Sequence, residues 1–96
     1  MKPDEIGKKI VEKITEENEI VVLVAGVINA TGQMLYWKIE EICDVGDYAI
    51  VENKNEYDLI KVVGLVYTTK ANARKFSKTK YERMKKVIKL LQKENI

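Results

Sequence analysis

The chain contains no histidine and one cysteine, Cys43. Those two shortages remove whole classes of chemistry. The common zinc sites, built from His and Cys, cannot be assembled within one copy. Ser–His and Cys–His nucleophile pairs are excluded with them. A single thiol rules out an internal disulfide, so a reducing cytoplasm is the expected compartment. Glycines are few and scattered: Gly7, Gly26, Gly32, Gly46 and Gly64 match neither nucleotide-binding fingerprint. The longest apolar run, residues 20–28, is less than half of the roughly 20 residues a membrane helix needs. Residues 1–18 are studded with acids and do not resemble a signal peptide. No membrane partner, cofactor or metal is expected, and the chain is not read as an enzyme.

Charge is abundant but unevenly placed. Residues 70–96 hold ten Lys and Arg against two acids, a net of +8, whereas residues 1–69 hold seven against thirteen, a net of −6. The overall +2 conceals this polarity. A concentrated basic segment attracts polyanions or an acidic protein surface.

The hydrophobic pattern divides one domain, residues 1–96, into three parts. Pro3, Asp4 and Glu5 suit a helix start, and Ile6, Ile10, Val11 and Ile14 make an apolar stripe, so an amphipathic helix is predicted over residues 1–17. Residues 19–69 read as a β-meander or barrel. The β-branched run 20–28 suits a strand buried on both sides, and residues 29–32 form a turn. Over residues 33–42, Leu35, Trp37 and Ile39 share one face, and Met34, Tyr36, Lys38 and Glu40 the other. Residues 44–47 are a tight turn before a strand at 48–52. Residues 53–56 are a hairpin connection, and 57–68 a long returning strand in which Gly64 predicts a bulge or bend. Residues 70–96 are a basic segment followed by a helix, begun by a Thr79-x-x-Glu82 capping box and striped with Tyr81, Met84, Val87, Ile88 and Leu91. The predicted class is α+β: a small curved antiparallel sheet, or an SH3-like β-barrel, of four to five strands, flanked by amphipathic N- and C-terminal helices.

Residues 45–64, VGDYAIVENKNEYDLIKVVG, resemble the V-G-D-x-V-x-V hairpin of small SH3-like barrels. These include the DNA-binding N-terminal domain of the primosomal helicase and small proteins of Firmicutes and their phages. The resemblance covers about twenty residues, implies an SH3-like barrel of bacterial or phage type, and transfers no ligand-binding residue.

Candidate binding residues come from the charge pattern. Arg74, Lys75, Lys78 and Lys80 precede the predicted helix as a basic arm, and Arg83, Lys86 and Lys89 continue the stripe along it. Such cations neutralise phosphates and release counterions, giving sequence-independent affinity. Tyr36 beside Lys38, with Lys61, could supply a stacking platform in a positive groove; Tyr67 lies near Lys61 and Lys70. The same charges also fit a solvated face, or one paired with the chain's own acidic half. The tyrosines equally fit strand packing. Glu40, Glu41, Asp44 and Asp47 lack calcium-loop spacing, and the acids near Cys43 raise its pKa and make it a poor nucleophile. The expected function is therefore a non-catalytic module that binds nucleic acid through its basic C-terminal segment. The alternative is a protein-interaction or assembly adaptor, including a homodimer; a carboxylate-based hydrolase around Asp44 is the weakest reading.

Overall fold

The computed structural model describes residues 15–91. Five strands form one antiparallel sheet: β1 (Ile20–Ile28), β2 (Met34–Lys38), β3 (Tyr48–Asn53), β4 (Glu56–Thr69) and β5 (Val87–Leu91). A helix, α1 (Lys70–Ser77), and a 3-10 turn, Tyr81–Arg83, lie between β4 and β5. Most of the predicted N-terminal helix falls outside the described residues; of it, residues 15–17 are helical.

The turns do what their residues require. Gly32 closes the β1–β2 connection at φ 76°, and Gly46 takes φ 98° before β3. Between β3 and β4 Lys54 and Asn55 both adopt positive φ, as a two-residue hairpin turn demands. Asn53 pairs with Glu56 across it. The Gly64 expectation is also met. Ala25 pairs with Gly64 and Gly26 with Val62, leaving Val63 as the extra, bulged residue.

Pairing departs from a meander. The strand order is β2-β1-β4-β3-β5. β4 has 14 residues, long enough for one half to pair with β3 and the other with β1. β2 and β3, neighbours in a meander, are thereby kept apart, with residues 39–47 bridging between them. The sheet is curved and open rather than a closed barrel. Where β5 would have to meet β2, the contact is one bridge, Lys38 to Lys86, with the Lys38 N–H donating to the Lys85 carbonyl at 2.9 Å. Five-residue β2 and β5 are too short to zip further.

Curvature lets one face of the sheet bury itself. Val24, Trp37, Ala49, Val51, Ile60 and Val62 form the main core, and Ile39 and Cys43 enter from the connection after β2. Complete burial of each large side chain contributes about 1.5–3 kcal/mol. Gly26 lies against this core, next to the register shift in the β1–β4 pairing. A Cβ there would stand 2.6 Å from Ile60 Cδ1 and 3.1 Å from Trp37 Cζ3. Gly26→Ala is therefore expected to cost about 1–3 kcal/mol by overpacking, read as a lower urea midpoint, while Gly64→Ala, whose Cβ would meet Ala25 at an ordinary 3.6 Å, costs less.

Among the described residues the opposite face is covered at one end only. There α1 lays Ala73 onto Leu23, with Met84, Tyr36, Val66 and Tyr81 completing a second cluster.

Over the described residues the C-terminal helix predicted from Thr79 is not formed. The helix occurs earlier, over residues expected to be a flexible arm. Thr69 is its N-cap, its Oγ1 accepting from the Asn72 N–H at 3.2 Å. At the other end Lys78 takes the left-handed conformation, φ 65°, and its N–H donates to the Arg74 carbonyl. Ser77 then occupies Thr79: its hydroxyl donates to the Thr79 carbonyl at 2.9 Å and accepts the Thr79 N–H. The capping-box Thr is thus held in a turn, and only the single 3-10 turn follows. Residues 87–91 pair with β3 instead, because β3 otherwise presents an unpaired edge to water. A bulge explains the misleading period. Ile50 pairs with Lys89 and Val51 with Val87, so Ile88 is extra. Val87 and Leu90, three apart as on a helix, consequently both face the main core.

Candidate nucleic-acid interface

Long cationic side chains gain little from burial, so they go where the backbone leaves room for solvent. In residues 70–91 that principle leaves eight cations exposed, with Glu17 and Glu82 beside Arg74 and Lys80, and Glu40 and Glu41 beside Lys86. Arg74 and Lys75 project from the last turn of α1, Lys78 from its cap, and Lys80 from the link to the 3-10 turn that carries Arg83. Lys85 and Lys86 run past the end of β2, and Lys89 lies on β5. These eight side chains are all exposed. Among the described residues the one ion pair is Lys70 with Glu19, at 2.9 Å. None of the eight is paired with the chain's own acids among those residues. The cations follow a helix, a turn and a strand, not the basic arm and following helix that the sequence pattern suggested.

Lys61 and Lys89 share a face of the sheet. Lys61 pairs with Tyr48, and Lys89 with Ile50, two positions along the same strand. Tyr36 and Lys38 lie on that face too, but at the end covered by α1. Tyr36 is half-buried, its ring 5.6 Å from that of Phe76 and tilted by 58°. Lys38 sits with its ammonium 4.9 Å from the centre of the Tyr81 ring, and Lys70 approaches the same ring at 5.7 Å. Two cations against one ring hold Tyr81 by its electron-rich face. The structure therefore joins Tyr36 and Lys38 to the α1 surface and leaves Lys61 further along the sheet.

Titration follows from these contacts. The Glu19 carboxylate, hydrogen-bonded to Lys70, holds that ammonium above its usual range. Burial pushes the Tyr81 phenol up against the opposing pull of Lys70, with Glu40, Glu19 and Glu82 adding to the rise. Burial, then Asp47 and Asp44, raises the Cys43 thiol. Cys43 is thereby kept protonated at neutral pH and inert as a nucleophile. Asp47 is itself 5% exposed and its carboxylate accepts the Asp44 N–H at 2.8 Å, so it serves the turn. Among the described residues no group of three or more His, Cys, Asp or Glu is placed to hold a metal ion.

Lys85, Phe76, Met34 and Tyr81 are not among the candidate binding residues of the sequence, whose pattern puts Met34 on a strand face and Tyr81 on a helix stripe. Lys85 was legible as part of a cationic run. Phe76 is the chain's one phenylalanine and stands beside Lys75 and Lys78, a signal that composition alone left unused.

The fold defines the class: a small α+β domain with an open, five-stranded antiparallel sheet and a basic helix-turn-strand surface. Compared with known proteins, the chain matches no family model, no curated protein and no solved structure. The resemblance of residues 45–64 to SH3-like hairpins accordingly rests on the sequence alone. Among the described residues no helix is long and apolar enough to cross a membrane.

Proposed function

We propose that this protein is a non-catalytic, cytoplasmic binding module that engages nucleic acid through the basic surface of residues 74–89. One observation carries the reading: eight exposed cations within residues 74–89, none in an ion pair with the chain's acids among the described residues. Maintaining so many like charges together costs stability through self-repulsion, and a polyanion relieves it by exchanging condensed counterions for Lys and Arg. The affinity is electrostatic, with weak sequence preference. Neither His chemistry nor a nucleophilic thiol is at hand, which supports binding rather than catalysis.

The test is a fluorescence-anisotropy titration with DNA and RNA oligonucleotides. A fall in affinity of at least about tenfold between roughly 50 and 200 mM salt is expected for several phosphate contacts. Absence of binding at the lowest salt would remove the proposal.

A second reading, a protein-interaction or assembly module, is favoured by the exposed apolar side chains Tyr57, Leu59 and Val63 on β4. In that case the basic surface docks on an acidic protein, or the β4 strip joins two copies as a homodimer. A doubled mass in sedimentation, abolished by Leu59→Lys, would identify it.

A further inference from the structure

Where the sheet fails to close, it leaves a groove between β2 and the segment that follows α1. Its volume is about 410 Å³, within the roughly 300–1,000 Å³ of pockets that hold one small, largely apolar group. Tyr36, Phe76, Met34 and Met84 contribute its apolar surface, and Lys78, Arg83 and Lys85 also line it. Phe76 is 38% exposed and Met34 50%, so the apolar wall is open to a ligand from solvent. Another groove that joins basic and aromatic side chains, at Lys70, Arg74, Lys80 and Tyr81, also carries the acids Glu17 and Glu82, whereas among the described residues no acid lines the groove beside β2.

The backbone of β2 adds polar recognition. Alternate residues of a strand direct their N–H and C=O groups to opposite sides. The Ile28 N–H bonds to the Gln33 carbonyl, and the Lys38 N–H points the other way, to Lys85. Residues 34 and 36 share the parity of Lys38, so their N–H and C=O groups face the groove rather than β1. Across the gap, among the described residues, Lys38 alone finds a backbone partner.

Resting on the nucleic-acid reading above, we infer that this seam is a base-binding groove and that the ligand is single-stranded nucleic acid. An unpaired base lies against Phe76 and Met34, its polar edge meets the β2 backbone, and the flanking phosphates lie at Lys78, Arg83 and Lys85. Charge selects a polyanion. The apolar wall selects one whose bases are free to leave the stack, which a duplex denies because both faces of each base are already covered.

The experiment compares three probes at one salt concentration: a thymine 12-mer, a strand of equal length carrying abasic sites throughout, and a duplex. The native protein is expected to bind the thymine strand at least about tenfold more tightly than the abasic strand, the contribution of a stacked base. Duplex binding falls with the abasic strand. Phe76→Ala, and independently Met34→Ser at the exposed rim, are expected to erase the preference for bases while leaving affinity for the abasic strand unchanged. Circular dichroism checks that each variant is folded, and the comparison of probes on the native protein stands if either is not. Equal affinity for thymine and abasic strands overturns the groove while leaving the electrostatic surface intact. Failure to bind any of the three removes the surface and the groove together.

Discussion

Replacing Arg74, Lys75 and Lys78 together by Glu is expected to lower affinity for a single-stranded oligonucleotide by about a hundredfold near 0.1 M salt, and to reduce the salt slope by about two. Each phosphate contact on a single strand contributes roughly 0.7 to that slope, so three lost contacts give both figures. The three residues are exposed and sit at the C-terminal end of α1, where a negative charge opposes the helix dipole. That opposition costs about 0.3–1 kcal/mol per residue. The corresponding Gln variant removes the charges without it, and is expected to retain the fold with a smaller loss of binding. Anisotropy titrations of all three proteins check the prediction. An unchanged slope in the Glu variant would show that α1 faces away from the polyanion, leaving residues 80–89 as the contact.

The second large effect concerns stability. Met84→Asp is expected to cost more than about 3 kcal/mol, a large part of the roughly 5–15 kcal/mol that holds a domain of this size together. Met84 is 7% exposed and packed with Leu23 and Ala73 under α1, where a carboxylate would lose its hydration without a partner. Ile88→Asp is expected to cost less than about 1 kcal/mol, because Ile88 is the bulged residue of an edge strand and 44% exposed. Urea unfolding of the two variants measures the difference. Similar losses at both positions would contradict the strand, since a single amphipathic helix would bury Met84 and Ile88 on one stripe.

That contrast shows where a one-dimensional pattern misleads. Tyr81, Met84, Ile88 and Leu91 have helical spacing, and Thr79-x-x-Glu82 has the form of a helix start. Neither feature records that the edge of β3 lies within reach of residues 87–91. The true helix was harder to see because only Ala73 and Phe76 give Lys70–Ser77 an apolar side, too few for a periodic signal. Its N-cap, Thr69, was readable but fell at the end of an evident strand.

By itself the sequence determined the local elements and the chemistry on offer. The β-branched runs, the glycine turns, the two-residue hairpin and the bulge at Gly64 follow from preferences that act over a few residues. So do the division of Leu35, Trp37 and Ile39 from Met34, Tyr36 and Lys38, the separation of charge between the two halves, and the lack of histidine chemistry. Tertiary structure decided the rest. Pairing β4 with both β1 and β3, taking residues 87–91 into the sheet, and leaving the seam beside β2 open all depend on which hydrogen-bonding edges meet. Those meetings join residues tens of positions apart, and only they bring Tyr36, Phe76, Arg83 and Lys85 around one groove.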